Sequence, residues 1–199
     1  AEIGAARRVV IMAGLGAADA DAAASCRDLG DRIGALMATT LPARGLFHGD
    51  AFSLGIAGGF STALARSLFA QADLVLAFGC SLTQHNLDKG KLFPKARIVQ
   101  IDTAPRAVSQ GMVAAERHLR SDARLAAQAL ARRASPRQGW RSADLADAIA
   151  WMAENPDDAR AMADAERGSP ALIEADIAMH KAIADASRNA LMAKIIGAF

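Results

Sequence analysis

Gln71-Ala-Asp-Leu-Val-Leu-Ala-Phe-Gly-Cys-Ser81 is the stretch whose reading decides the fold. Leu74 to Phe78 is an unbroken apolar run, bounded by Asp73 on one side and Gly79 on the other. Its length suits a strand buried on both faces, as in a parallel sheet covered by helices. Upstream, Gly58-Gly-Phe-Ser-Thr-Ala-Leu-Ala-Arg-Ser-Leu-Phe69 reads as a small-residue helix, from about Ser61, that delivers the chain to this strand. Downstream, Gly79-Cys80-Ser81 ends the strand where ligands bind in open α/β sheets, outside the carboxyl ends of the strands. A nucleotide-type crevice is the first functional expectation.

Working outward, Val9-Val-Ile-Met-Ala13 is a second apolar strand candidate, closed by Gly14-Leu15-Gly16. Ala17 to Ile33 has helical periodicity through Ala22, Cys26, Leu29 and Ile33, with Asp19 or Asp21 suited to its start and Gly34 to its end. Leu36-Met-Ala-Thr-Thr40 follows as a strand, so pairing is expected to be parallel with a right-handed crossover. Leu41 to Gly59, rich in glycine, reads as loop, and so does Ser81 to Lys95. Ala96-Arg-Ile-Val-Gln-Ile-Asp102 is a fourth strand candidate, Pro105 suits the first turn of a short helix, and His118-Leu-Arg120 an edge strand. Ser121 is placed to cap a helix from Asp122 to about Arg133. Apolar strands separated by helices predict a doubly wound, Rossmann-like parallel α/β sheet of about six strands, followed by a helical C-terminal tail. The expected organisation is an α/β domain over 1–133, a linker over 134–141 and a tail over 142–199. The tail contains helices over Ser142–Ala153, Pro156–Arg167 and from Pro170 onward.

Bulk properties narrow the function classes. The 199 residues are 52% hydrophobic and 22% charged, enough for a core built mainly of Ala, Leu, Ile and Val, because aromatics are 5% and tyrosine is absent. A formal charge of +2 does not indicate nucleic acid or an anionic membrane as the main partner, and no apolar run is long enough for a membrane span. Cys26 and Cys80 lie far apart, so no disulfide framework or zinc knuckle is implied, and a reducing cytoplasmic setting is expected. The start lacks an initiator methionine and a signal pattern and reads as part of something longer.

Thr39-Thr-Leu-Pro-Ala-Arg-Gly-Leu-Phe-His-Gly-Asp50, Leu54-Gly-Ile-Ala-Gly-Gly59, Ala72-Asp-Leu-Val-Leu-Ala-Phe-Gly79 and Ile101-Asp102, in that order and spacing, resemble the central domain of thiamine-diphosphate-dependent enzymes. That family includes acetolactate synthase, benzoylformate decarboxylase and oxalyl-CoA decarboxylase, and the similarity runs from about Arg8 to Arg133. The resemblance implies a six-stranded Rossmann-like domain that holds FAD in some members, ADP in others and nothing in several. By position, Gly14 and Gly16 would line the first phosphate turn, and Gly58 and Gly59 would lie beside the phosphates or flavin. Gly79 and Cys80 would lie beside the ribose and pyrophosphate, Asp102 near the ribose or adenine, and Ser121-Asp122 beside the adenine. Each also has a plain structural reading: a strand-ending turn for Gly14-Leu15-Gly16, helix capping for Ser121-Asp122, loop packing for Cys80. Thiamine diphosphate and its magnesium belong only to a complete enzyme of this kind. The family's activating glutamate lies on the preceding domain and its Gly-Asp-Gly…Asn motif on the following one, and no Gly-Asp-Gly occurs here. Partners implied are the other domains or subunits of such an enzyme, in a homo-oligomer, with no nucleic acid or membrane.

Within the tail, Glu174 to Lys194 resembles a fragment of the helical ligand-binding (FCD) domain of GntR-type regulators. Asp176 and His180, four apart on one helix face, correspond to two of that family's metal ligands, but two ligands alone rarely retain a metal and an intrahelical Asp–His contact is the plainer reading. His48, His85 and His118 have no ligand spacing, and Ser61 and Ser81 have no partnered His and Asp. Arg132, Arg133, Arg137 and Arg141 read as a solvated hinge. The leading expectation is a non-catalytic central domain, a structural spacer with FAD or ADP as its ligand, within an enzyme that decarboxylates or joins 2-oxo acids. The alternatives are a metal- or carboxylate-binding sensor module and a composite of two unrelated segments.

Overall fold

Two runs with no polar residue to turn toward water, Val9–Ala13 and Leu74–Phe78, must be covered on both faces, and that requirement shapes the molecule. The computed structural model describes residues 2–105, 108, 109, 112, 113 and 115–155. A short helix α1 (Glu2–Ala5) leads into β1 (Val9–Ala13). Helices α2 (Leu15–Asp19) and α3 (Ala23–Ile33) connect it to β2 (Leu36–Thr39), and β3 (Ser53–Ile56) follows a 3-10 turn at Leu41–Ala43. Then come α4 (Ala63–Phe69), β4 (Leu74–Phe78) and β5 (Arg97–Asp102). A two-stranded antiparallel pair, β6 (Val108–Ser109) with β7 (Met112–Val113), precedes β8 (Arg117–Arg120), α5 (Ala123–Arg133) and α6 (Ala143–Glu154).

The sheet has six strands in the order β3-β2-β1-β4-β5-β8, every neighbouring pair parallel. This is the doubly wound order, and the direction of winding reverses between β1 and β4. The apolar run Leu74–Phe78 is the central strand β4, paired residue for residue with Val9–Ala13 on one side and 97–101 on the other. Ile11, Leu76 and Phe78 join Cys26, Leu29 and Ile33 of α3 and Ala126 and Ala127 of α5 in one core cluster. Val10, Met12, Val75 and Ala77, the alternate residues, are also buried. Each large side chain so covered contributes on the order of 1.5–3 kcal/mol.

Local structure departs from the expectations at five places. Helix 17–33 is two helices, because Asp21 takes a left-handed φ of 49° and ends the first turn. The stretch 41–59 is not all loop. Ser53–Ile56 forms the sheet's edge strand, hidden from pattern reading by Gly55 (φ 72°) and by a single buried side chain, Leu54. No helix follows Pro105 among the described residues, where β6 and β7 lie instead. The cap of α5 is Asp122, not Ser121: its carboxylate accepts the Leu125 N–H at 2.9 Å. Finally, residues 135–141 are not a solvated hinge throughout. Although Arg132 and Arg133 are exposed, Arg137 and Arg141 are half-buried.

Those two arginines close the end of α3. The last carbonyls of a helix lack intrahelical donors. Arg137 donates its backbone N–H to the Arg32 carbonyl (2.9 Å), Nε to that of Ile33 (3.1 Å) and Nη1 to that of Ala6 (2.6 Å). Trp140 N–H reaches the Gly34 carbonyl at 2.9 Å, and Arg141 Nε that of Ala35 at 2.7 Å. Arg141 also pairs with Asp31 and lies 4.5 Å from the Phe52 ring centroid. The segment is a clasp. By contacts, residues 1–61 and 65–141 form one compact unit. The second unit holds, of the described residues, 62–64 and 142–155; in it Ala148 and Met152 of α6 pack with Ala63, Leu64 and Trp151. The expected helix over Ser142–Ala153 is α6, capped by Ser142. Those expected over 156–199, with Asp176 and His180, lie outside the described residues.

The clasp predicts an asymmetry among arginines that look alike in sequence. Arg137→Ala is expected to cost about 2–3 kcal/mol in urea unfolding, since it removes charged donors from buried carbonyls. Arg137→Lys should recover less than half, because one ammonium cannot reproduce the fork. Arg133→Ala should change stability by less than about 0.5 kcal/mol.

Candidate functional site

At the reversal point the turns after β1 and β4 meet, and the meeting is almost wholly backbone. Gly14 N–H donates to the Phe78 carbonyl at 2.8 Å, Gly16 N–H to that of Gly79 at 3.0 Å, and Gly79 N–H to that of Ile101 at 2.8 Å. A Cβ on Gly14 would collide with Gly79 O, and one on Gly79 (φ 55°) with the backbone of Gly16 and Ala17. These glycines are required so that two strand ends can touch each other.

A cleft of about 570 Å³ opens above this junction. Gly14, Gly16, Gly59, Gly79 and Asp102 line it, as the sequence reading expected of a nucleotide crevice. The other three cofactor candidates are placed elsewhere. Cys80 is fully buried with its carbonyl accepting Gln100 Nε2 at 2.8 Å, and Gly58 packs against the His85 carbonyl. Asp122 is occupied in capping α5. The lining includes residues that the sequence reading did not single out for this role: Leu15, Thr40, Leu41, Phe60, Thr83 and Asn86. Asn86 shapes one wall by accepting both the N–H (3.2 Å) and the hydroxyl (3.1 Å) of Thr83. Their signal was exposure of large apolar groups, which only coordinates reveal: Leu15 is 52%, Leu41 39% and Phe60 71% exposed.

Behind the cleft, Gln100 is the polar interruption in β5. It joins the Cys80 carbonyl to His118 Nδ1, which lies 3.1 Å from Gln100 Oε1. That link ties the β4 turn to the edge strand. Asp102 accepts the Ala104 N–H at 2.9 Å, while its carbonyl takes the Ser121 N–H at 3.0 Å.

The comparisons with known proteins agree with this geometry. The model of the thiamine pyrophosphate enzyme central domain matches residues 1–130. The chain belongs to that family. Acetolactate synthase large subunit of Parasynechococcus marenigrum (strain WH8102) is 33% identical over 107 residues, which cover 53% of this chain and 17% of that protein. The matched stretch thus spans about a sixth of that relative's length.

For a thiamine pyrophosphate enzyme central domain, fit to the ligands the family implies is a question of donors. Among the described residues no three His, Cys, Asp or Glu side chains form a group able to hold a metal ion. ADP and FAD need donors for a diphosphate, yet the amides of Gly14, Gly16, Gly59 and Gly79 all donate to carbonyls of the protein. Helix α2 is only five residues long, too short for the aligned dipoles that favour an anion. No lysine or arginine lines the cleft among the described residues; its titratable side chains are His85, Asp19 and Asp102, so carboxylates outnumber the one imidazole. Arg66, which reaches the Gly58 carbonyl at 3.2 Å, is paired with Asp88 at 2.7 Å. The residues present do not fit a diphosphate.

Two outcomes follow. Gly79→Ala is expected to cost about 3 kcal/mol or more, combining left-handed strain with a backbone collision, while Ser81→Ala beside it should be near neutral in the same unfolding assay. Burial pushes the thiols of Cys26 and Cys80 up to about 12, so neither should be alkylated at pH 8 until the protein unfolds. The raised folded value means that the unfolded thiols ionise first. Stability is therefore expected to fall as pH rises from about 9 toward 12, by up to about 1.4 kcal/mol per pH unit per thiol, and C26A/C80A should flatten that slope.

Proposed function

We propose that this chain is the non-catalytic central domain of a thiamine-diphosphate-dependent enzyme that decarboxylates or joins 2-oxo acids, where it acts as a structural spacer between the two domains that hold the cofactor. The observation that carries the reading is the family match over residues 1–130, lying on a doubly wound sheet. The spacer role has a physical basis in the rigidity of this unit: strand ends bolted by glycine contacts at one rim, and α3 closed by the arginine clasp. Catalysis in such an enzyme depends on holding reacting groups within a fraction of an ångström, so a stiff middle layer serves the outer ones. Its partners are the other domains or subunits of that enzyme, in a homo-oligomer. Neither ADP nor FAD enters this reading, since the cleft lacks a seat for their diphosphate.

A graft tests it. Replacing the corresponding segment of the Parasynechococcus marenigrum acetolactate synthase large subunit with residues 1–141 is expected to yield a soluble chimaera that still forms acetolactate. The isolated chain should show no saturable binding of thiamine diphosphate with magnesium by calorimetry. A chimaera that folds and assembles but has no activity, or tight cofactor binding by the chain alone, would overturn the proposal.

A further inference from the structure

On the face of the sheet that α3 and α5 cover, the cover thins toward β5 and β8. Leu76 pairs with Val99 and Ile101 with Leu119 across β4, β5 and β8, and these four form one wall of a cavity of about 650 Å³. Ile3 of α1 and Leu130 of α5 complete its apolar lining. The volume falls within the range of roughly 300–1,000 Å³ common for small-molecule sites. Val99 lies on a strand paired on both sides and is still only half-buried, and Leu119 is 43% exposed, so apolar surface lies open here. The mouth has a different chemistry. Arg133 is exposed and has no ion pair among the described residues, and the Ser135 hydroxyl stands exposed with it. Arg137 spends Nε and Nη1 on the carbonyls of Ile33 and Ala6, while its Nη2 is buried without a partner. Glu2 is the one carboxylate in the lining, and its charge is matched by Arg97 at 2.7 Å and Arg117 at 3.6 Å.

We infer that this cavity, between α1, α5 and the β4–β5–β8 face, binds a medium-chain aliphatic carboxylate with its tail inward and its head at Arg133 and Arg137. The tail covers Val99 and Leu119, and each methylene taken out of water strengthens binding about fourfold. The planar head suits a guanidinium fork, accepting from Arg133 and supplying the acceptor that Arg137 Nη2 lacks. A cation on the same tail finds the apolar wall but meets two guanidiniums, and a short carboxylate finds the guanidiniums without the wall. The site is separate from the glycine-walled cleft, goes beyond the spacer role and does not rest on it.

Calorimetry on the full chain with octanoate, octylammonium and acetate, at one pH and salt concentration, tests it. Octanoate is expected to bind saturably, acetate more weakly by about a hundredfold or more for want of a tail, and octylammonium more weakly by about tenfold or more. Arg133→Ala, an exposed change, should weaken octanoate by about tenfold and leave octylammonium no weaker. Leu119→Glu, with circular dichroism as the folding check, should weaken octanoate by about tenfold or more, because it sets a carboxylate in the tail wall. Phe60→Ser, at the glycine-walled cleft, should leave octanoate within about twofold. No saturable octanoate binding to folded protein, octylammonium as tight as octanoate, an Arg133→Ala variant that binds octanoate unchanged, or loss of binding on Phe60→Ser would each overturn the inference. None of these results touches the chimaera test, so the two readings fail separately.

Discussion

Everything in the α/β unit depends on the approach of two backbones at the top of the central strands. Gly14-Leu15-Gly16 and Gly79 lie so close that a β-carbon on Gly14 or Gly79 would strike backbone; the Gly14 and Gly16 amides serve the carbonyls of Phe78 and Gly79, and the Gly79 amide that of Ile101. Parallel strands leave their carboxyl ends without ladder partners, and something must satisfy those groups. Here the protein satisfies them itself. The cost is chemical as well as steric, because an amide that closes a turn is not free to hold a phosphate.

This explains how a glycine-rich crevice can look like a nucleotide site and lack one essential part of it. Gly-x-Gly after a strand is compatible with two arrangements: amides pointing out at a ligand, or amides pointing in at a neighbouring turn. The residue types are the same in both. The surroundings decide, and here they include Asp19, Asp102 and His85 but, among the described residues, no lysine or arginine. Family membership therefore fixes the architecture, while the ligand is a property of the individual side chains at the rim.

Much of the fold could be read from residue order. Val9–Ala13 and Leu74–Phe78 are strands because uninterrupted apolar character admits few other solutions at that length, and Leu36–Thr39 and Arg97–Asp102 are mainly apolar runs bounded by polar residues. Edge strands were harder. Arg117–Arg120 was legible in part as a charged edge, whereas Ser53–Ile56 was not, since its glycine and half-exposed side chains carry a loop's signature. The site was legible at Asp102 and the glycines, which mark strand ends. It was illegible at Leu15, Leu41 and Phe60, because exposure of an apolar residue is a property of packing and not of the residue. Cys80 and Asp122 illustrate the reverse error: adjacency in sequence to a strand end or helix start does not aim a side chain at the cleft.

The clasp bears on where this unit ends. The family's own limit falls at residue 130, within α5, but the physical edge lies further on, at Arg141. A protease that nicked the chain in the Arg132–Arg133 dipeptide would sever the covalent tie that holds the clasp beside the carbonyls of Ala6, Arg32, Ile33, Gly34 and Ala35. A shortened polypeptide stopping at the statistical border would expose those same groups from the start, an invitation to self-association. For anyone transplanting this module, the last eight residues before Ser142 are part of the sheet's upholstery rather than the string that follows it.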